Sequence, residues 1–407
     1  MPNIEQKKLM LLGGLRYLLP VIEAAHHHGY YVITVDYIPE NIAHRYSDAY
    51  YDVSILDKDA VLALAQKLEI SGIMSFAVDP GVTTAAYVAE KMGLPFQCSY
   101  ESACILQDKS RFRDFLAQNG FNVPHAKGYA NEHEAMSEAD SFAYPLMVKP
   151  VDSAGSKGVS KVNSKESLHS AINYALHESH TGRFIIEDYL EKVGCSSDSD
   201  CFTVDGDLCY CSFSDQLFDE KADNPYTPAA YLWPSTIPIS IQDELRSELQ
   251  RLMHLLDVRT GIFNVETRLC TDGKPYIMEV SPRGGGNRLS EMLGYITSTN
   301  LIDNAVRAAV GDIVDDIMQP DYNGHLAEVI LHSDKGGLFR GLIIGNSISE
   351  QYLLERDLWV KEGQLVESFS GANKAIGTVA FKTDSRQNLD EIINSIGDLV
   401  KVVVDYK

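Results

Sequence analysis

No apolar run in this chain of 407 residues approaches the ~18 residues that a helix needs to cross a bilayer, which argues against a membrane-spanning protein. Basic residues are also scarce: 35 Lys and Arg face 57 Asp and Glu, for a formal net charge of −22. Nucleic acids and anionic membrane surfaces are gripped by a Lys/Arg footprint, so neither is an expected partner. The opening Met1-Pro-Asn-Ile-Glu5-Gln-Lys-Lys8 has no secretory-leader pattern, and a cytoplasmic location is expected. Seven cysteines, an odd number with no Cys-x-x-Cys pair even in the cluster Cys195, Cys201, Cys209 and Cys211, imply reduced thiols rather than a disulfide framework or zinc site. His26-His27-His28 reads as the polar end of a helix. Two phosphate-binding signatures are absent as well. There is no Walker A loop, and Gly13-Gly14 followed by Asp36 falls short of the G-x-G-x-x-G dinucleotide fingerprint.

What is present is an ordinary globular composition, 45% hydrophobic and 23% charged, long enough for two or three domains. The front of the chain alternates apolar strands over 8–12, 31–36 and 72–77 with amphipathic helices over 17–28 and 83–92, the βαβ rhythm of a Rossmann-like half domain. A new unit begins near Asp108, an N-cap for a helix over 109–118 that Asn119-Gly120 stops. Strand-like runs over 146–149 and 159–162 flank a polar loop, and strands resume between Cys195 and Asp223. Helices over 242–256 and 300–310 follow, then short strands over 328–332, 338–344 and 375–382 and a closing helix over 388–400. There is no internal repeat.

The most informative segment is a hairpin, Phe263-Asn-Val-Glu266-Thr-Arg-Leu-Cys270 and Pro275-Tyr-Ile-Met-Glu279-Val-Ser281, closed by Thr271-Asp-Gly-Lys274. With Asp272-Gly273 as the turn, Glu266 falls opposite Glu279 and Asn264 opposite Ser281. A four-residue loop keeps this register, whereas a three-residue loop slips it by one. Opposed Cβ atoms lie roughly 4.5–5.5 Å apart and like charges there repel, so a cation between the two glutamates is expected. Phe263, Val265, Leu269, Tyr276, Met278 and Val280 form an apolar stripe expected to face the core.

Lys149, at a strand end, precedes Pro150-Val-Asp-Ser153-Ala-Gly155-Ser156-Lys-Gly158. The lysine offers a cation to phosphate oxygens, and the glycines let backbone N–H groups come close. Alone, such a loop is usually a turn. Beside a carboxylate pair suited to Mg²⁺, which binds one or two carboxylates plus substrate phosphates, it points to a nucleotide site. Pro282-Arg283-Gly-Gly-Gly286-Asn-Arg288 is the expected acceptor site: its glycines open the backbone, and Arg283 and Arg288 bind a carboxylate or offset charge on a transferred phosphoryl group. Asp79, at the carboxyl end of a front strand, is a candidate for holding an amino group.

In order, Met147-Val-Lys149-Pro150, the small-residue loop, Ile186-Glu187-Asp188-Tyr189-Leu190-Glu191, Asn264-Val-Glu266 and Met278-Glu279-Val-Ser281-Pro-Arg283 resemble the ATP-grasp superfamily. The likeness covers nearly the whole chain, in the manner of biotin carboxylase, phosphoribosylglycinamide synthetase and carbamoyl phosphate synthetase. It implies a mixed α/β and α+β fold: a Rossmann-like domain over 1–105, an ATP-grasp domain over 106–320 with a lid at about 144–214, and a strand-rich domain over 321–407. It further implies ATP with Mg²⁺ or Mn²⁺, with Lys109 and Lys149 on the phosphates and the loop carrying Ser153, Gly155, Ser156 and Gly158 as a flap. Glu187, Asp188, Tyr189 and Leu190 would read adenine, Glu266 and Glu279 would carry the metal, and Ser281 or Asn264 would complete its shell. Two departures stand out. Ser281 replaces the family's Asn, and Gly194-Cys-Ser-Ser-Asp198-Ser-Asp200 lacks an acid of the family's Gly-x-Glu-x-Ser-x-Asp.

The activity implied is that of a carboxylate–amine ligase that forms an acyl phosphate and releases ADP and phosphate, with Arg283, Arg288 and Lys149 offsetting charge. Its partners would be a small carboxylate and an amine, and a homodimer is an assembly the resemblance allows. The rivals are a bicarbonate-using carboxylase or carbamoyl-phosphate-type enzyme, and a nucleotide-binding module without catalysis.

Overall fold

The computed structural model describes residues 6–153 and 155–406; Met1–Glu5, on which the leader reading rests, and Ala154 of the glycine loop lie outside them. At the front, Lys8–Leu12 is an inner strand of a four-stranded parallel sheet, between Tyr31–Asp36 and Gly72–Ser75, with Ala49–Asp52 beyond. Leu9 and Leu11 pack with Val21 and Ile22 of the helix Leu19–His27 on one face. Met10 and Leu12 pack with Val82 and Ala85 of the helix Val82–Met92 on the other. Coverage of both faces is why these strands read as unbroken apolar runs.

A small antiparallel sheet, in the order Ala126–Tyr129, Phe184–Asp188, Leu146–Pro150, Ser160–Val162, stands apart with its own core of Leu146, Val148, Ile172, Phe184 and Ile186 under the helix Lys165–Glu178. The expected lid range of about 144–214 differs from this body at both ends. Ser197–Val204 and Asp207–Cys211 join the hairpin in a second antiparallel sheet, ordered Asp207–Cys211, Ser197–Val204, Gly261–Leu269, Pro275–Ser281. One face of that sheet, through Phe263, Val265, Ile277 and Val280, packs on Leu245, Leu249 and Leu252 of the helix Ile239–Leu255.

A five-stranded sheet runs Asp215–Phe218, Pro228–Trp233, His325–Leu331, Gly377–Thr383, Leu353–Leu358. It therefore crosses the boundary expected at 320, because strand period alone does not say which sheet a strand joins. The expected closing helix is shorter, Arg386–Asn394, and Val400–Tyr406 is instead a strand paired along Gly337–Ile344. The β-branched run Val402-Val403-Val404 was the signal for it. Among the described residues no helix is long and apolar enough to cross a membrane.

Because the small sheet has a separate core, Ile172→Ala is expected to remove about 2–5 kcal/mol from that body. Calorimetry should show an earlier transition for this unit, with the main transition in place.

Candidate active site

The hairpin register is as the sequence implies where it matters: Glu266 pairs with Glu279 and Asn264 with Ser281. Nearer the turn the pairing is shifted, with Thr267 opposite Ile277 and Leu269 opposite Pro275. The Cys270 amide donates to the Lys274 carbonyl at 3.0 Å, so the turn closes over the three residues 271–273 and slips the pairing by one, and a bulge at Met278 restores the register before the glutamates. That bulge reassigns two side chains. Ile277 joins Phe263, Val265 and Val280 in the core, while Tyr276 and Met278 turn to a separate cluster with Leu190 and Cys270.

The third strand adds what the hairpin alone could not reveal. Glu266 is also paired with Asp198, and Asn264 with Asp200. Adjacent strands thereby carry two cross-strand rows on one face, Asp198–Glu266–Glu279 and Asp200–Asn264–Ser281. Burial and the neighbouring Glu266 push the Asp198 carboxyl up to about 7, although the Asn264 amide works against this. Asn264 Nδ2 donates to Asp198 Oδ1 at 2.8 Å and to Asp200 Oδ1 at 3.2 Å, which leaves its carbonyl oxygen without a partner among the described residues. The Ser281 hydroxyl, in contrast, accepts from Gln107 Nε2 at 2.7 Å and donates to Asp79 Oδ1 at 3.0 Å.

Each glutamate meets one basic group: Arg268 Nη2 donates to Glu266 at 2.9 Å, and Lys109 Nζ lies 3.3 Å from Glu279. Lys109 also donates to the carbonyl of Ser153 at 3.1 Å, tying the glycine loop to the hairpin. A narrow cleft of about 10 Å³ lies among Asp79, Gln107, Lys109, Asp152, Ser153 and Glu279. Gly155, Ser156 and Gly158 all have positive φ, and a Cβ at Gly158 would stand 2.6 Å from Pro150. The loop tip is tied to the segment 224–226, where Ser156 Oγ donates to the Tyr226 carbonyl at 2.9 Å and Asn224 Nδ2 to the Ser156 carbonyl at 3.1 Å.

The four residues expected at adenine have different surroundings. Glu187 is 2% exposed, and its carboxylate lies between the Lys149 ammonium and Arg113, whose Nε donates at 2.9 Å. Burial alone would raise this carboxyl; the two cations outweigh it and hold it at about 2. Burial pushes the Lys149 ammonium below its ordinary value while Glu187 pulls the other way. Glu187 is thus a partner of Lys149. Asp188 and Tyr189 have their amides on the carbonyls of His125 and Pro145 at 2.9 and 3.1 Å, while Leu190 offers an apolar wall with Met278. Arg113, absent from the sequence reading, sits one helical turn after Lys109 and also donates to the Met278 carbonyl at 2.9 Å. The i, i+4 spacing was the available signal.

At the acceptor loop, Arg283 grips Asp79 with two hydrogen bonds of 2.8 Å. Burial would raise Asp79, but this guanidinium and the Ser281 hydroxyl hold it below its usual range, so Asp79 and Arg283 are each other's partners. Arg288 donates to Glu291, Glu355 and Thr378. The glycines divide by role. A Cβ at Gly284 would lie 2.2 Å from the Phe76 ring, and one at Gly285 2.8 Å from both Asn264 and Asp200, whereas Gly286 has nothing within 4 Å. Asp200 accepts from the Gly285 amide at 2.8 Å and from the Ser290 hydroxyl, anchoring the loop to the second row. Asn287 and Arg288 follow with φ of 49° and 59°, strained values for residues with side chains.

Residues 115–299 match the family model for the D-ala D-ala ligase C-terminus. The carbamoyl phosphate synthase large chain of Halomonas eurihalina is 25% identical over 325 residues, covering 75% of this chain and 29% of that protein. The chain thus spans less than a third of such curated relatives. Among solved structures, the L-amino acid ligase from Bacillus licheniformis superposes with a TM-score of 0.80 at 18% identity, covering 98% of this chain and 99% of that one. Phosphoribosylglycinamide synthetase from Anaerococcus prevotii does so with a TM-score of 0.76 at 17% identity, covering 98% and 100%. The fold is shared across these proteins.

Two expectations arise from this geometry. The Glu187 carboxylate is held far below its unfolded value of about 4.5, so its stabilisation is complete above that pH and is lost as the pH falls toward 2. Glu187→Gln should cost about 3–5 kcal/mol near neutrality by leaving Lys149 and Arg113 buried without an anion, with the deficit shrinking at about pH 3 in urea titrations. Gly285→Ala should lower stability by about 1–3 kcal/mol, since its Cβ meets packed polar atoms. Gly286→Ala should stay within about 0.5 kcal/mol, both read as shifts in urea midpoint.

Proposed function

We propose that this chain, a member of the ATP-grasp superfamily of ligases, joins a small carboxylate to an amine through an acyl phosphate. The observation that carries this reading is the cleft where Lys109, Glu279 and Ser153 face Asp79 and its partner Arg283, because it brings a phosphate-side cation, a metal-side carboxylate and the front domain to one place.

Carboxylates are poor electrophiles, and phosphorylation supplies a leaving group. Lys149, held against Glu187 and braced by Arg113, is suited to the inner phosphates, and Lys109 to the outer ones. The hard oxygens of Glu266 and Glu279, with the unpartnered Asn264 carbonyl, suit Mg²⁺ or Mn²⁺; Ser281, engaged by Asp79 and Gln107, is the weaker candidate. The raised carboxyl of Asp198 beside Glu266 marks a face with surplus negative charge, which supports a cation there. Such an ion would supply charge neutralisation at the transferred phosphoryl group. Leu190 and Met278 form an apolar wall fit for adenine. Arg283, bound to both oxygens of Asp79 and to the Gly284 carbonyl, fixes Asp79 at the edge of the cleft. The glycine loop, bridging to Asn224 and Tyr226, excludes water from a hydrolysable intermediate.

With a competent acid, hydroxylamine should trap a hydroxamate and the spent nucleotide should be ADP; AMP as the main product would overturn the acyl-phosphate route. ADP release that needs bicarbonate and no organic acid would favour carboxylation instead. Glu279→Gln should lower metal-dependent ATP cleavage by roughly a hundred-fold or more, while its metal-free melting temperature holds or rises through relief of like-charge repulsion.

A further inference from the structure

One cluster of potential metal ligands takes no part in the ligase reading. In the five-stranded sheet, Pro228–Trp233 runs antiparallel to both Asp215–Phe218 and His325–Leu331. Those two strands therefore run parallel to each other, and their carboxyl ends leave the sheet at the same end. Asp219 directly follows the first and His332 the second, with Asp334 just beyond. The topology thus joins Asp219 and His332, 113 residues apart in the chain. One ligand atom from each of Asp219, His332 and Asp334 lies within 4.8 Å of the other two.

The imidazole is already oriented as a ligand. Its Nδ1 stands 2.8 Å from the Ile330 carbonyl, which can only accept, so Nδ1 carries a proton and donates. The ring stacks on the buried Phe369, with centroids 4.1 Å apart and planes 16° from parallel. Together these contacts aim Nε2 at Asp219 Oδ2, 3.1 Å away. A carboxylate also only accepts, and a bare lone pair facing it would be repelled. Nε2 must therefore hold either a second proton or a cation shared with the carboxylate. A hydrogen bond from the other ring nitrogen to a backbone carbonyl is the usual support of a metal-bound histidine. The spacing agrees, since a tetrahedral ion with bonds of about 2.0–2.1 Å keeps its ligand atoms roughly 3.3 Å apart. Asp219 Oδ1 accepts from the Lys221 amide at 2.9 Å, which leaves Oδ2 for the ion. Asp334 is exposed, and its side chain is able to swing onto the third position.

We propose that Asp219, His332 and Asp334 bind a divalent transition-metal ion of the Zn²⁺ class, at a site separate from the Mg²⁺ expected at Glu266 and Glu279. One nitrogen and two oxygens select such an ion, because imidazole suits Zn²⁺ and its neighbours whereas Mg²⁺ prefers oxygen alone. Its role is structural: it pins the turn that starts at Asp219. Along that turn the Ala222 amide donates to the Asp219 carbonyl at 3.1 Å, and the Asn224 amide to the Phe369 carbonyl at 3.4 Å. Asn224 and Tyr226 then hold Ser156, so the ion clamps the segment that receives the glycine loop.

The test is isothermal titration of the full chain, stripped of metal by a chelator that is then removed, with ZnCl₂ alone as titrant and no nucleotide. Wild type should bind Zn²⁺ in an event that survives Glu279→Gln. Asp219→Asn, His332→Gln and Asp334→Asn should each weaken it by at least the roughly ten- to hundred-fold that loss of an outer-shell partner costs. Because Asp334 is exposed, Asp334→Asn should melt with wild type in chelator, which separates lost binding from lost folding. Zn²⁺ should then raise the melting temperature of wild type and leave that of Asp334→Asn in place. Hydrogen exchange over 219–226 should slow when Zn²⁺ is bound. Absence of Zn²⁺ binding, or wild-type affinity in His332→Gln and Asp334→Asn, would overturn the proposal and leave His332 as the protonated partner of Asp219. Loss of the event in Glu279→Gln, or unchanged exchange over 219–226 with Zn²⁺ bound, would overturn it as well.

Discussion

The strand Gly261–Leu269 is paired along both of its edges, and that double pairing fixes where the charges of the site stand. Three carboxylates in a row repel one another, by about 0.2–1 kcal/mol per opposed pair. The other face of the same strands carries Phe263, Val265, Ile277 and Val280 against the helix Ile239–Leu255. Each such side chain, fully buried, contributes about 1.5–3 kcal/mol. A slip of one residue would exchange the two faces, so the apolar side holds a register that the polar side resists. The bulge at Met278 belongs to the same compromise: it restores Glu279 to Glu266 while letting Met278 and Tyr276 line the apolar wall with Leu190.

The cations near this row come from several elements. Arg268 lies on the hairpin itself and Lys109 at the start of the helix Lys109–Gln118, while Lys149, on the small separate sheet, is paired with Glu187. Arg113 ties these parts together, because its guanidinium spans Glu187 of the small sheet and the Met278 carbonyl of the hairpin. Positioning of Lys149 thus depends on a buried ion pair that also joins two bodies. Substituting a neutral group at Glu187 would leave two buried cations in competition, which is the more severe kind of loss for a buried network.

Local pattern made much of this legible. The Asp-Gly turn between alternating segments gave the opposed glutamates, and the cap at Asp108 gave the helix that carries Lys109. Long-range pairing was not legible. Asp198 and Asp200 could be read only as lid residues, because nothing local shows that their strand lies against Gly261–Leu269. The pairing of Glu187 with Lys149 and Arg113 likewise leaves no local trace in the sequence. The acceptor glycines looked alike in sequence, yet Gly284 and Gly285 are demanded by Phe76, Asn264 and Asp200, and Gly286 alone faces open space. Close approach between distant segments leaves no periodic trace in the chain.

The two halves of the site are built on different sheets, and one side chain joins them. Tyr231 stands opposite Glu328 on the five-stranded sheet, while its hydroxyl donates to Asp198 at 3.0 Å and accepts from Asn287 at 3.1 Å. Asp198 heads the carboxylate row, and Asn287 belongs to the strained loop beside Arg288. Tyr231 thus ties the carboxylate row of one sheet to the loop that carries Asn287 and Arg288 through two hydrogen bonds of one hydroxyl.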